Sequence, residues 1–251
     1  MRARNNPRTL LFEAAIVVAI AIYYIGGNLL FEVSRPVAIE NARDIIELQD
    51  RAGLNVEGRI QQFFDPHPVV TGLLVFFYAG PHFLLTYGFL LWVYWKRFAA
   101  YANVRNAFLL FTGSAFTFQW LFPVAPPRMV PELGLGDTVT QSLPINGETP
   151  WISLLVNDVA AVPSIHTGWS LLVAILLIRL TSSPWRWLWL LYPGAIMTSV
   201  LATANHFVWD LVTAFAWLGL SEILHLGLLV RWFEPVFHPL PRPAPVSEDE
   251  E

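Results

Sequence analysis

Cysteine is absent from the chain, which excludes disulfides and thiol chemistry and leaves the redox compartment open. Charge is scarce: Asp, Glu, Lys and Arg make up 14% of the 251 residues, well below the roughly 25% usual in soluble domains. With 55% hydrophobic residues beside it, that shortage makes a membrane protein the first reading. Lysine is nearly missing too, Lys96 being the only one. No basic patch is interleaved with aromatics, so nucleic acid is not expected as a partner. The formal charge of −4 carries little meaning, because Glu248, Asp249, Glu250 and Glu251 supply it from the tail.

What the chain does have is long apolar runs. Residues 10–31 follow a basic segment, 1–9, and are long enough to cross about 30 Å of hydrocarbon. They exceed a signal-peptide core and lack a small-residue cleavage site, so a retained first transmembrane helix is expected. Residues 34–64 differ, carrying charge throughout, with Val37, Ile45, Ile46, Leu48 and Ala52 recurring at near-helical spacing. Gly53 interrupts the pattern, and Val56, Ile60, Phe63 and Phe64 resume it. Two amphipathic helices on the outer face fit this pattern, either lying in the membrane interface or capping the bundle.

Further spans are expected over residues 69–95, 104–122, 164–180, 187–204 and 207–230, a core running from 69 to 230. Trp185, Trp187 and Trp189 read as an interfacial belt. Prolines and glycines crowd the connection 123–161, which is expected to lack regular structure. Pro235, Pro239, Pro241, Pro243 and Pro245 mark 231–251 as a disordered cytoplasmic tail. The expected fold is therefore all-α and integral to the membrane: six transmembrane helices, with an amphipathic interfacial segment after the first. Nothing in the sequence indicates an oligomeric state.

Basic residues set the orientation. With the N-terminus in the cytoplasm, Arg2, Arg4, Arg8, Lys96, Arg97, Arg105, Arg179, Arg186, Arg231 and Arg242 fall inside. Arg35, Arg43, Arg51, Arg59 and Arg128 remain outside, four of them in the amphipathic segment, so the short connections are positive-inside. Both termini are then cytoplasmic, and Arg128, His166 and His206 share the outer face. The preference for Arg over Lys fits a GC-rich genome, and a bacterial plasma membrane is the expected location.

Three short stretches carry the polar groups at the span ends. In Asn205-His206-Phe207-Val208-Trp209-Asp210, His206 and Asp210 are four apart and share a helix face. A carboxylate on one imidazole nitrogen fixes the tautomer and frees the other as nucleophile or base. The same pair could simply staple a helix end. Two histidines and one carboxylate, with no further cluster, make a weak metal site. In Val162-Pro163-Ser164-Ile165-His166, Ser164 can cap a helix whose first-turn N–H groups attract an anion, with His166 able to donate a proton to it. A structural cap and an interfacial histidine would explain that stretch as well. Arg128 follows the stiff Pro126-Pro127 and can bond phosphate in bidentate fashion, or else meet lipid headgroups. Candidate substrate contacts are Asn205, Asn157, Tyr78 and His82; a kinked helix and loop solvation are the plainer readings of the last three.

Taken together, Arg128, Pro163-Ser164-Ile165-His166 and His206 with Asp210, in a chain of six spans, resemble the type 2 phosphatidic acid phosphatase superfamily. Phe122-Pro123-Val124-Ala125-Pro126-Pro127-Arg128 and Ala204 to Asp210 are similar to its inositolphosphotransferase-like branch, which includes inositol phosphorylceramide synthases. The likeness covers roughly residues 70 to 220. It implies that His206 attacks phosphorus to form a phosphohistidine while Asp210 orients it. His166 would protonate the leaving oxygen and then activate the acceptor, and Arg128 and Ser164 would hold the non-bridging oxygens. No metal or other cofactor is implied. The donor would be a lipid phosphate, and the acceptor an alcohol, a polyol or water.

Two positions depart from that pattern. Leu121 stands where the superfamily's phosphatases carry a lysine, and Val200 where they carry an arginine. The resemblance therefore favours transfer to an alcohol over hydrolysis, with Arg35 or Arg43 as possible sources of replacement charge. A lipid phosphate phosphatase, or a non-catalytic lipid-binding or transport protein on the same scaffold, are the alternatives.

Overall fold

The structure, a computed structural model, is described for residues 7–31, 34–142 and 157–225. The tail expected at 231–251, the end of the last span and residues 143–156 of the long connection lie outside the described residues. Among those described, the chain is helical, with no strand beyond an isolated parallel bridge between Val124 and Ala160.

Helix α1 (Pro7–Leu30) is apolar around its whole circumference, and only Gly27 is buried. A helix in a soluble core would be covered; this one exposes Leu11, Val17, Ile22 and Leu30, a surface that suits lipid far better than water. It meets α6 (Phe98–Leu121) along one seam. Glu13 pairs with Arg105 at 2.5 Å, and Asn28 Oδ1 accepts from Trp120 Nε1 at 2.9 Å. A Cβ on Gly27 would lie 2.1 Å from the Trp120 ring, so only glycine permits the approach.

Among the described residues, two helical stretches are long and apolar enough to cross a membrane, Pro7–Leu30 and Pro68–Lys96. The second is broken at Gly80 into α4 (Pro68–Ala79) and α5 (Pro81–Lys96), because Pro81 has no N–H to continue the ladder. Helix α8 (Ile165–Leu180) is apolar but shorter. Over the expected span at 187–204, Pro184–Leu190 is a 3₁₀ stretch that leads directly into α9 (Leu191–Ala202), of 12 residues. At 1.5 Å per residue α9 alone covers about 18 Å. Apolar composition marks such a run without separating 3₁₀ from α-helical turns. The last helix, α10, runs Val208–Leu224.

The connection after α6 is also more regular than its prolines implied. Pro127–Met129 and Pro131–Leu133 are 3₁₀ turns, each opened by a proline, and α7 covers Thr138–Ser142. Proline fixes φ and suits the first position of a helical turn, so it nucleates these turns rather than preventing them.

The amphipathic segment forms α2 (Arg35–Ala52) and α3 (Glu57–Phe64), with Gly53 at φ 67° closing α2. Its buried stripe is Ala38, Ala42, Ile45 and Gln49, while Val37 and Leu48 are exposed. Small residues let α2 lie close against Val124, Ala125, Val159, Val162 and Phe207. The segment thus caps the chain around the histidine stretches. A separate core joins α5, α6, α8 and α10 through Val93, Phe108, Phe111, Leu172 and Leu218.

Candidate active site

Three backbone junctions bring the polar stretches to one end of the helices. Arg128 N donates to Ala204 O at 3.1 Å, and Ser164 N to Asp210 O at 3.2 Å. The chain before the second stretch is tied down by Val124 N to Val159 O at 2.8 Å and Ala161 N to Val124 O at 3.2 Å. Gln119, buried near the end of α6, donates to the carbonyls of Ala160 and Pro163 at 3.1 and 3.0 Å.

The turn between α9 and α10 presents His206. Ala204 sits at φ 51°, in the left-handed region, and the Asn205 and His206 amides both donate to Val200 O, at 3.0 and 3.2 Å. Asp210, fully buried, accepts from His206 Nδ1 at 3.0 Å and from Phe207 N at 2.8 Å, both through Oδ2. The Nδ1 contact leaves Nε2 as the ring nitrogen available for chemistry. Val200, one of the two missing-cation positions, is itself buried beside Ile196 and Leu211, whereas Leu121 is exposed.

His166 faces this pair, with its ring centroid 5.8 Å from that of His206. It is the second residue of α8, which Ser164 caps by accepting from Thr167 N at 3.3 Å. Tyr78 stacks on the His166 ring at 4.5 Å, and His82 lies tilted against it at 5.0 Å. His82 Nδ1 contacts the Tyr192 hydroxyl at 2.9 Å. The helix break at Gly80 puts Tyr78 and His82 on separate helices, and each reaches His166. Gly168, two residues on, lets α6 pack closely on α8, since a Cβ there would fall 1.9 Å from the Phe111 ring.

Arg128 completes the group. Its NH1 donates to Asn205 Oδ1 at 2.6 Å, and its Nε lies 3.4 Å from Asp137 Oδ2. Tyr78 OH donates to the same Asn205 oxygen at 3.4 Å. Arg43, offered by the sequence as substitute charge, is engaged by Glu40 and Glu132, and Arg35 lies 3.5 Å from Asp158. Among the described contacts, Arg128 is the guanidinium that reaches the histidine stretch. Asn157 is not drawn in: its Oδ1 accepts from Val159 N at 3.2 Å and shapes its own turn.

Residues the sequence reading passed over stand behind the site. Glu57 Oε1 accepts from Val208 N and Gln49 Oε1 from Trp209 N, each at 2.8 Å. Gln49 extends the spacing of Ala38, Ala42 and Ile45 by one more turn, a signal hidden by attention to large apolar side chains.

Chemically, the arrangement offers a buried imidazole held by a carboxylate, a second imidazole close enough to touch the same phosphoryl group, and one positioned guanidinium. Neither curated proteins nor solved structures yield a match. A family model described as the PAP2 superfamily matches residues 43–224, from within α2 to the end of α10 and including all three polar stretches. The chain therefore belongs to the PAP2 superfamily, and with it to phosphatase and phosphotransferase chemistry on lipid phosphates.

Proposed function

We propose that this protein is an integral-membrane lipid phosphotransferase of the inositolphosphotransferase-like branch, working through a phosphohistidine on His206. The observation that carries the reading is the His206–Asp210 pair facing His166 across 5.8 Å, with Arg128 held on the neighbouring Asn205. His206 Nε2 attacks phosphorus, the bond to the lipid's leaving oxygen breaks, and His166 gives that oxygen a proton. An acceptor hydroxyl then gives its proton to His166 while its oxygen attacks phosphorus, and the P–N bond breaks to restore His206. Asp210 orients His206 and offsets the positive charge it acquires. Arg128 and the first-turn N–H groups of α8 behind Ser164 hold the non-bridging oxygens, where charge redistributes in the transition state.

Transfer rather than hydrolysis fits Leu121 and Val200, apolar residues at the two positions where the superfamily's phosphatases carry cations. Near the Arg128 loop lies a separate cavity of about 590 Å³ whose lining includes Gln61, Gln62, Asp65, Thr71, Thr138 and Gln141. Gly136 and Thr138 on its wall flank Asp137, the partner of Arg128. Carboxamides, a carboxylate and hydroxyls suit a polyol acceptor such as inositol. With water as acceptor the same steps give a lipid phosphate phosphatase. In the arrangement we infer, six spans carry the site to the outer face of a bacterial plasma membrane.

The test uses purified protein with phosphorus-labelled lipid donors, with and without candidate alcohols. Labelled ester product that depends on the alcohol supports transfer, and free phosphate alone overturns it. His206→Ala at wild-type activity would overturn the mechanism, as would a His166→Ala variant with no loss.

A further inference from the structure

Glu57 and Gln49 are nearly inaccessible polar residues, 4% and 0% exposed, and the reaction above gives them no part. Both come from the capping segment, yet both end on the helix that carries Asp210. The first turn of a helix leaves its N–H groups without partners, and Phe207 at the N-cap of α10 has no side-chain oxygen to offer. Asp210 meets part of that need by reaching back to Phe207 N. The next two amides, Val208 N and Trp209 N, are served by Glu57 Oε1 and Gln49 Oε1. The two side chains are joined, because Gln49 Nε2 donates to Glu57 Oε1 at 2.9 Å, and also to Asn55 Oδ1 at 2.9 Å. Glu57 Oε2 is fixed in turn by Val56 N at 3.0 Å. The result is a closed ring of bonds from one element to the opening turn of another, about 150 residues away in sequence.

We propose that Glu57 and Gln49 are positioning residues for the His206–Asp210 pair, acting through the first turn of α10. This rests on His206 being the nucleophile. The Asp210 carboxylate has one oxygen shared between His206 Nδ1 and Phe207 N, so a small rotation of that turn alters both bonds together. A loss of alignment of this kind is paid in rate far more than in binding. The choice of a carboxylate has a second consequence. A helix N-terminus attracts anions, and Glu57 already occupies the one on α10, leaving the phosphoryl group to the first turn of α8 and to Arg128.

The experiment compares wild type, Glu57→Ala, Glu57→Gln and Gln49→Met in detergent, with thermal unfolding as the check on folding. Glu57→Gln keeps an acceptor for Val208 N; Gln49→Met keeps the volume and removes the acceptor. Glu57→Ala is expected to lower kcat about 10- to 100-fold with KM nearly unchanged, Gln49→Met to lower it less, and Glu57→Gln to recover much of the loss. In parallel, protein with ¹⁵N-labelled histidine is examined for the His206 Nδ1–H resonance of the bond to Asp210. It should be sharp in wild type and Glu57→Gln, and displaced or broadened in Glu57→Ala and Gln49→Met. Unchanged kcat in Glu57→Ala and Gln49→Met, a loss carried by KM, or an unmoved resonance would overturn the proposal. Should Glu57→Ala not fold, Gln49→Met decides by the same criteria. Should the wild type turn over no lipid phosphate, the reading of the reaction fails, and the resonance alone then decides the positioning role.

Discussion

Asp210 serves two donors through one oxygen and leaves its other oxygen, Oδ1, buried without a partner among the described residues. A carboxylate in that state orients imidazole and balances its charge; an amide in its place can present the wrong face to Nδ1. Asp210→Asn is therefore expected to lower kcat about 10³- to 10⁴-fold, as loss of an orienting carboxylate does in other imidazole systems, with little change in the unfolding curve. A variant within a few-fold of wild type in steady-state assays would reduce Asp210 to a helix staple. Arg128 is poised differently, between Asn205 and the Asp137 carboxylate, which would compete with a phosphate bound there. Asp137 is partly exposed, so screening limits its pull. Asp137→Asn should lower KM for an anionic donor about 2- to 5-fold at low salt, with the difference fading as salt is raised. Ala204 offers a third check at this scale. Its φ of 51° costs a non-glycine residue about 1–2 kcal/mol, and a β-branched side chain there is worse. Ala204→Val should lower the denaturation midpoint and the activity together, while Ala204→Gly should keep both.

Elements decide which of these residues meet. Helix α8, which carries His166, packs closely on α6 where Gly168 lets the Phe111 ring lie against its backbone. A Cβ at that point forces one helix aside, and overpacking of this kind costs about 1–3 kcal/mol. Gly168→Ala is expected to reduce kcat and the unfolding midpoint in proportion, unlike Asp210→Asn, which should affect kcat alone. The histidine stretches were legible in the sequence because function requires particular residue types at particular spacings, and the structure brings Arg128, His166, His206 and Asp210 together. Helix existence was legible for the same reason that apolar runs are conspicuous. A cap was one of the two readings of α2, but its inner face was not legible: large side chains such as Val37 and Leu48 suggested it, whereas Ala38, Ala42, Ile45 and Gln49 form it. Close approach selects small residues, and a hydrophobicity pattern ranks those last. The division of 187–204 into a 3₁₀ stretch and a short helix escaped for a related reason, since tryptophan is apolar both in a span and at an interface.

At the scale of the whole molecule, the pairings of α1 with α6 fix which end of the helices holds the site. Glu13 meets Arg105 and Asn28 meets Trp120, so the two helices run parallel. Gln119, beside Trp120, holds the Pro163 carbonyl next to Ser164. Arg105 lies about 20 Å along α6 from that point, and Arg179 lies at the far end of α8 from Ser164. The cationic helix ends are thus remote from the histidines, as positive-inside insertion requires of a site on the outer face. The capping helices α2 and α3, which carry Arg35, Arg43, Arg51 and Arg59, lie on the site's side. Inserting a short epitope at Gly134, in the turn between Leu133 and α7, should make intact cells reactive to a membrane-impermeant antibody. An epitope at Arg97, between α5 and α6, should react only after permeabilisation. The reverse pattern would put the site in the cytoplasm and change the pool of lipid phosphates it can draw on. Reaction at both positions without permeabilisation would remove a membrane crossing between them, and with it the six-span arrangement.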